Sequence, residues 1–526
     1  MSDFDVEIFK INATHLQVIC RFDSDYRSLS EFFRFKDPTF SPNPYSRWDG
    51  YVRLFNVDKH TLPVGLLSNL VLFCKEYGLS FHIDEAMLPF SNPISMPDVE
   101  EWIEGLNLSR EKDDGSYVKM EAYDFQIDAL FYAMKYGRYT PLAATSGGKS
   151  LIIYMLIRLY EEMGLTQDNG KILIIVPSVS LVNQMFDNFI EYSQFNKWNT
   201  YINVHCIAEG ASKFTSKPVI VSTWQAIQDE DKEYFLDFQA IVCDEVHLAS
   251  AKKITRIVES SINAHSRVGM TGTLKNVNIH NLQVQGLFGP IQRIVTAKEL
   301  QDDGRAARTD VTMVTLNYPE KDRHELAVIK RIKPKKGEPK TNPYQKEIEY
   351  IISHKGRMKF LIEMAIGLKG NILMLFDRKD KHLHVVADLL RKMETKKKIH
   401  VIIGEVDGDE RDEIKRYTEL NDGVIILATY GTMSTGESVN RLHYLIFAHP
   451  SKSIIRVLQS LGRLMRLHET KDVAKIIDIV DDLRQPGQRE NYCIEHAVER
   501  FGFYREEQHK VKMKKITLEG STHKLV

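Results

Sequence analysis

The chain reads as an α/β protein. Two tandem halves, each a parallel sheet covered by helices, follow a small N-terminal α+β domain and precede a C-terminal helical extension. Three observations predict this. The 526 residues exceed the roughly 250–300 that a single core can hold. From Lys171 onward short β-branched runs alternate with longer amphipathic stretches, the pattern of parallel strands joined by crossover helices. That rhythm then occurs a second time.

Taken in order, residues 1–112 form the N-terminal accessory domain, with eight aromatics between Phe32 and Phe55 and turn signals at 42–44 and 48–50. Residues 113–297 form the first half: an apolar run at 139–144, an amphipathic helix over 151–162, and strands at 171–177, 218–224, 240–245 and 266–273. Residues 298–484 form the second, with strands at 371–376, 398–404, 423–429 and 442–449 and helices over 378–393 and 452–466. Near its start, residues 331–359 carry nine Lys/Arg against three Asp/Glu, with Pro334, Gly337, Pro339 and Pro343. That composition suits an exposed linker or loop. Residues 485–526 read as a helical appendage ending in a basic tail of Lys510, Lys512, Lys514 and Lys515.

Composition removes several classes of function. With 43% apolar and 27% charged residues the chain has the balance of a folded globular protein. No stretch approaches the roughly 18 apolar residues of a membrane span. The acidic start (Asp3, Asp5, Glu7) lacks the basic opening of a secretion signal. Cys20, Cys74, Cys206, Cys243 and Cys493 lie far apart, so they are expected as buried apolar residues in a reducing compartment rather than as zinc ligands or a disulfide. A net charge of −1 requires any polyanion to be held by a local basic groove.

The chemistry concentrates in a few segments. Residues 143–150, AATSGGKS, have the spacing of a phosphate-binding loop at the start of a helix, with Ala143 in place of the first glycine. Thr145, Gly147 and Gly148 supply small residues around which backbone N–H groups curl; Lys149 would reach the β/γ oxygens and Ser150 would ligate Mg²⁺. An apolar strand 95 residues beyond Lys149 delivers Asp244, a second Mg²⁺ ligand, and Glu245, which would orient and deprotonate the attacking water. These residues point to ATP hydrolysis. In the second half Gln459, Gly462, Arg463 and Arg466 share one helical face; the arginines are expected to reach the γ-phosphate as fingers. The aromatic and basic cluster around Arg34, Lys36, Tyr51 and Arg53 is expected to be largely core, with Arg47 and Trp48, in a turn-rich context, as candidate DNA contacts.

Over residues 120–480 these motifs resemble, in order, those of superfamily-2 helicases, whose two motor domains are RecA-like. The resemblance implies that Gln126 reads adenine and that His247 completes a DEVH tetrad coupling the nucleotide site to the domain interface. Residues 177–184 with Ser178, and the Ser222-Thr223-Trp224-Gln225 segment, resemble strand-contacting motifs. Thr271-Gly272-Thr273 resembles the motif linking hydrolysis to unwinding, and 428–440, with Thr429 and Gly436, the one touching both ATP and nucleic acid. Ser438 stands where many relatives have Asp. More closely, NPYSRWDGYVRLF, LPVGLL, DEVHLA, GEVDGDERDEI and LQSLGRLMRLH resemble the UvsW-type recombination helicases of T4-like bacteriophages. That resemblance implies an ATP-dependent DNA helicase or translocase, moving 3′ to 5′, that unwinds or branch-migrates branched DNA. It also implies a cytoplasmic monomer, in a prokaryotic or phage-infected cell, acting on branched or single-stranded DNA. RNA–DNA hybrids, and single-strand-binding and recombination proteins, are further candidate partners. An RNA helicase and an ATP-gated nucleic-acid clamp stay open as alternatives.

Overall fold

The computed structural model describes residues 3–37, 40, 48–87, 94–112, 115–144, 146–208, 210–248, 252–272, 278–332, 342–393, 395–406, 408–434, 439, 441–450, 473–488 and 491–519. The chain divides into two units, residues 1–295 and 296–526.

The first unit opens with a four-stranded sheet of β1 (Val6–Lys10), β2 (His15–Cys20), β5 (Thr61–Pro63) and β6 (Phe81–Ile83), in the order β5-β2-β1-β6. A small hairpin, β3 (Arg34–Lys36) and β4 (Tyr51–Arg53), lies between them in sequence. Val6, Ile8, Leu16 and Val18 fill one core with Leu29, Phe33, Phe55 and Phe73. The aromatics of the Arg34–Arg53 cluster stay outside it: Phe35 and Tyr51 are half-buried on the hairpin, Trp48 is exposed, and Tyr45 lies outside the described residues. This subdomain is fastened to the rest of its unit. Gly65, in the tight turn Val64–Leu66, lies so close to the helix Asn278–Phe288 that an added Cβ would come within 1.9 Å of the Gln285 carbonyl oxygen. Gln285 donates to Asn69 at 2.8 Å, and the buried Arg138 guanidinium donates to the carbonyls of Ala13 and Leu287.

The hairpin β7 (Ser109–Glu111) and β8 (Tyr117–Lys119) leads into a parallel sheet of β9 (Arg138–Ala143), β10 (Lys171–Val176), β11 (Val204–Ile207), β12 (Val219–Thr223), β13 (Phe238–Asp244), β14 (Ser266–Met270) and β15 (Ile291–Val295). Its order is β11-β12-β10-β13-β14-β9-β15. Ile172, Ile174 and Val176 face one core and Leu173 and Ile175 the other, which is why the strands read as unbroken apolar runs. The helix Met96–Gly105 contributes Val99 and Ile103 to the first of these cores. Residues expected to belong to the N-terminal domain up to 112 thus pack with the first α/β layer.

The second unit repeats the plan with β16 (Arg308–Asn317), β17 (Ile372–Phe376), β18 (Lys398–Ile402), β19 (Val424–Thr429), β20 (Tyr444–Phe447), β21 (Val473–Asp482) and β22 (Lys510–Thr517), in the order β18-β19-β17-β20-β21-β16-β22. Numbered within each sheet, both seven-stranded sheets run 3-4-2-5-6-1-7, and every pairing in them is parallel.

Two expectations change here. The segment 331–359 is not mainly a loop. Asn342 caps the helix Pro343–Ser353 through a reciprocal bond with Gln345, with Pro343 at the first turn where its missing N–H costs nothing. His354 then caps Lys355–Gly367. Its charges are partly interior: Glu347 meets Lys330 at 2.5 Å, and fully buried Arg357 meets fully buried Asp481 at 2.7 Å. The basic tail, in turn, is a strand. After the helix Tyr492–Glu506 the chain adds β22 alongside β16, completing the second sheet.

Candidate nucleotide and nucleic-acid sites

At the carboxyl ends of the first sheet's strands, where open α/β sheets bind ligands, the loop after β9 turns into the helix Lys149–Glu162. Ser146 (φ 74°) and Gly148 (φ 70°) both lie in the left-handed region, which curls the loop. Gly148 has a second reason to be glycine: a Cβ there would stand 2.4 Å from the Gln126 side-chain nitrogen. Gln126 is buried and pinned at both ends. Its Oε1 accepts from the Tyr123 N–H at 2.9 Å, and its Nε2 donates to the Gly147 carbonyl at 2.9 Å. Gln126 therefore ties the loop after β9 to the helix Asp124–Tyr136.

Strand β14 lies between β9 and β13, so the residue after it stands between the loop and the acidic pair. That residue is Thr271, whose carbonyl accepts from the Ala143 N–H at 3.1 Å. Lys149 Nζ lies 3.2 Å from Glu245 Oε1, with the two side chains only 15% and 16% exposed. The other carboxylate oxygen of Glu245 accepts from the Thr271 hydroxyl at 3.2 Å and lies 3.2 Å from His247 Nδ1. His247 Nδ1 is itself 2.9 Å from Thr271 Oγ1. These contacts suit an Nδ1–H imidazole that donates toward the hydroxyl and the carboxylate. Its Nε2 is buried without a partner among the described residues. Glu245 holds φ 51°, a strained value for a non-glycine residue, and its N–H donates to Asp244 Oδ1 at 2.9 Å.

Electrostatics separates the two acids. Burial raises Asp244 to about 6, against the pull of Lys149. Burial acts on Glu245 as well, but Lys149 and His247 together outweigh it and hold this carboxyl well below its usual range. Lys149, although desolvated, is kept above its ordinary value by Glu245 and Asp244. The Ser150 hydroxyl lies 2.8 Å from Tyr192 Oη.

The structure thus gathers Gln126, Gly147, Gly148, Lys149, Ser150, Asp244, Glu245 and His247 around one loop. Thr271 and Tyr192 join them. In the sequence Thr271 is visible only as part of a motif, and nothing there marks Tyr192. Arg47, Thr145, Gly436, Gln459, Arg463 and Arg466, with the expected helix 452–466, lie outside the described residues. Of the candidate nucleic-acid contacts, Ser178 lies just beyond β10 and caps the helix Val179–Tyr192, accepting from the Leu181 N–H at 3.4 Å. Thr223 ends β12 and is buried, and Trp224 is packed against the core beneath it. Thr429 ends β19 in the second unit, 2.7 Å from Thr432 Oγ1. Trp48 is 45% exposed, its indole N–H donating to the Tyr51 carbonyl at 2.9 Å.

Residues 121–276 match the family described as the res subunit of type III restriction enzymes, a span containing both the phosphate loop and the acidic pair. Residues 5–84, the N-terminal sheet, match the N-terminal family of the DNA helicase UvsW. The ATP-dependent DNA helicase UvsW of Enterobacteria phage T4 is 31% identical over 533 aligned residues, covering 98% of this chain and 100% of that protein. The crystal structure of T4 UvsW superposes with a TM-score of 0.49 at 29% identity, covering 98% of this chain and 99% of that one. The DNA-bound type ISP restriction-modification enzyme LlaBIII shares the fold, with a TM-score of 0.53 at 15% identity over 80% of this chain and 33% of its own length. With a relative matched end to end and the family's N-terminal domain present, the chain belongs to the UvsW family of DNA helicases.

Proposed function

We propose that this protein is an ATP-dependent DNA helicase that unwinds or branch-migrates branched DNA, travelling 3′ to 5′ in the cytoplasm of a phage-infected cell. The observation that carries the reading is the end-to-end similarity to the T4 helicase, which includes the N-terminal sheet as well as the motor. Among the described residues no helix is long and apolar enough to cross a membrane.

The site suits Mg²⁺-ATP on the chemistry of its donors. The curled loop offers backbone N–H groups, and two buried carboxylates face a single lysine, so an added divalent cation meets an excess of negative charge. Lys149 and the loop would hold the phosphates, Ser150 and Asp244 the Mg²⁺, and Gln126 the adenine. The bound pair supplies the phosphoanhydride to be cleaved and the charge that neutralises it. Glu245 is the water-activating base. Thr271 and His247 fix its carboxylate, so the proton acceptor is positioned before water arrives. Arg463 and Arg466 serve as fingers, with Gln459 and Gly436 at the nucleotide; Ser178, Thr223, Trp224, Thr429, Arg47 and Trp48 serve the DNA.

Steady-state ATP hydrolysis with no nucleic acid, single-stranded DNA, forked DNA, an RNA–DNA hybrid or single-stranded RNA tests this. The strongest stimulation is expected from forked DNA. Stimulation by RNA alone replaces the reading with an RNA helicase, and nucleotide binding without stimulated turnover replaces it with a clamp.

A further inference from the structure

Strand β22, KVKMKKIT, places four lysines in eight residues, all exposed. Lys510, Lys512 and Lys514 alternate on one face at intervals of about 6.7 Å, and Lys515 stands on the other. The strand ends the second sheet: β16 pairs along one edge, and among the described residues no strand pairs along the other. A row of unpaired backbone N–H donors therefore runs beside the lysines. Little acid offsets them. Among the described residues the four make one ion pair, Lys512 with Asp310 at 3.9 Å, and nearby Glu519 is engaged by Lys359 at 3.3 Å.

Lysine on an edge strand commonly serves to discourage edge-to-edge association. The protein contains its own control for that explanation. β15 holds the same seventh place in the first sheet, is likewise an edge, and reads IQRIV, with Arg293 its one cation. The fold position does not demand four lysines. We infer that β22 is a nucleic-acid backbone contact surface, with Lys510, Lys512 and Lys514 meeting successive phosphates of a bound DNA strand. Their spacing is comparable with that of neighbouring phosphates along a strand, and the free edge N–H groups add donors of the kind that fix backbone register. The inference rests on the helicase reading and gives it a site outside the recognised motifs.

The test is the salt dependence of DNA binding by the full chain, measured by anisotropy of labelled single-stranded and forked DNA. Removing one lysine–phosphate interaction lowers the slope of log affinity against log salt by roughly 0.7–0.9. The Lys510→Gln/Lys512→Gln/Lys514→Gln variant is expected to lose roughly 2.1–2.7 from the slope and at least tenfold in low-salt affinity, with DNA-independent ATP hydrolysis unchanged. The corresponding triple arginine variant should keep the wild-type slope. If the triple glutamine variant melts early, Lys514→Gln alone is read instead, for a slope change of about one. A wild-type slope in the glutamine variants overturns the surface and leaves the helicase reading standing; failure of the wild-type chain to bind DNA overturns both.

Discussion

At the scale of single residues, Glu245, proposed as the water-activating base, is held by more partners than its charge alone requires. Lys149 holds one oxygen, Thr271 and His247 the other, and a left-handed backbone aims the side chain. Glu245→Gln preserves the shape and removes the base, so nucleotide binding should persist while turnover falls by about 10²-fold or more, read by fluorescent-nucleotide titration beside single-turnover hydrolysis. Unchanged turnover would end the assignment. Thr271→Val removes one hydroxyl from the carboxylate without touching Lys149. Turnover should drop about tenfold at unchanged nucleotide affinity, and Thr271→Ser should recover most of it. That Lys149, Asp244 and Glu245 meet is legible in the sequence because each stands at the end of a recognisable apolar run, Lys149 after a small-residue loop and the acids at a strand's close. The Thr271 contact is not, because its place depends on β14 lying between β9 and β13, which local sequence does not state.

At the scale of elements, the phosphate loop and the helix of Gln126 behave as one piece. Gly148→Ala would set a methyl against the Gln126 amide in a backbone region alanine avoids, so nucleotide affinity should fall at least tenfold while the remaining fold survives. Wild-type affinity in that variant would show that the loop does not need the Gln126 anchor. In the second unit the helix Lys355–Gly367 is secured by the buried Arg357–Asp481 pair, with Tyr318 also donating to Asp481 at 2.7 Å. Arg357→Ala leaves that carboxylate without its cation, and urea unfolding should register a loss of about 3–5 kcal/mol. The helices of 343–367 are hidden in the sequence by their own charges: Glu347 and Arg357 look solvated until their partners, Lys330 and Asp481, are known. β22 is hidden for the opposite reason. Lysines on both faces of an edge strand erase the apolar alternation by which a strand is recognised.

At the scale of the whole molecule, eight strands, four in each half, are legible as apolar runs: seven are largely buried on both faces, and β18 is a half-buried edge. The mixed strands β16 and β21 and the sheet-closing strands β15 and β22 are not. The second unit also carries an acid sensitivity. His382 and His449 are buried with their Nδ1 atoms 3.1 Å apart; burial lowers His449 to about 4 and puts His382 well below its usual value. Both are neutral when folded, whereas the unfolded chain protonates them below about 6.5. Stability is therefore full above that pH and is lost as pH falls toward 4, by about 3 kcal/mol from His449 alone. Urea midpoints of the full chain across that range should fall, and a His382→Gln/His449→Gln variant should flatten the fall.

The shared strand order has a consequence for synthesis on the ribosome. In both seven-stranded sheets the first strand is sandwiched between the sixth and the seventh. The first sheet has all its strands once residue 295 has emerged, while β16 waits with both edges open until β21 arrives and with one still open until β22, some two hundred residues after it. Contacts that distant close slowly. The first unit can thus mature during translation, whereas the second completes itself only after residue 517 has been made, and a chain stopped at residue 509 would leave Val311 and Met313 on a bare, association-prone edge.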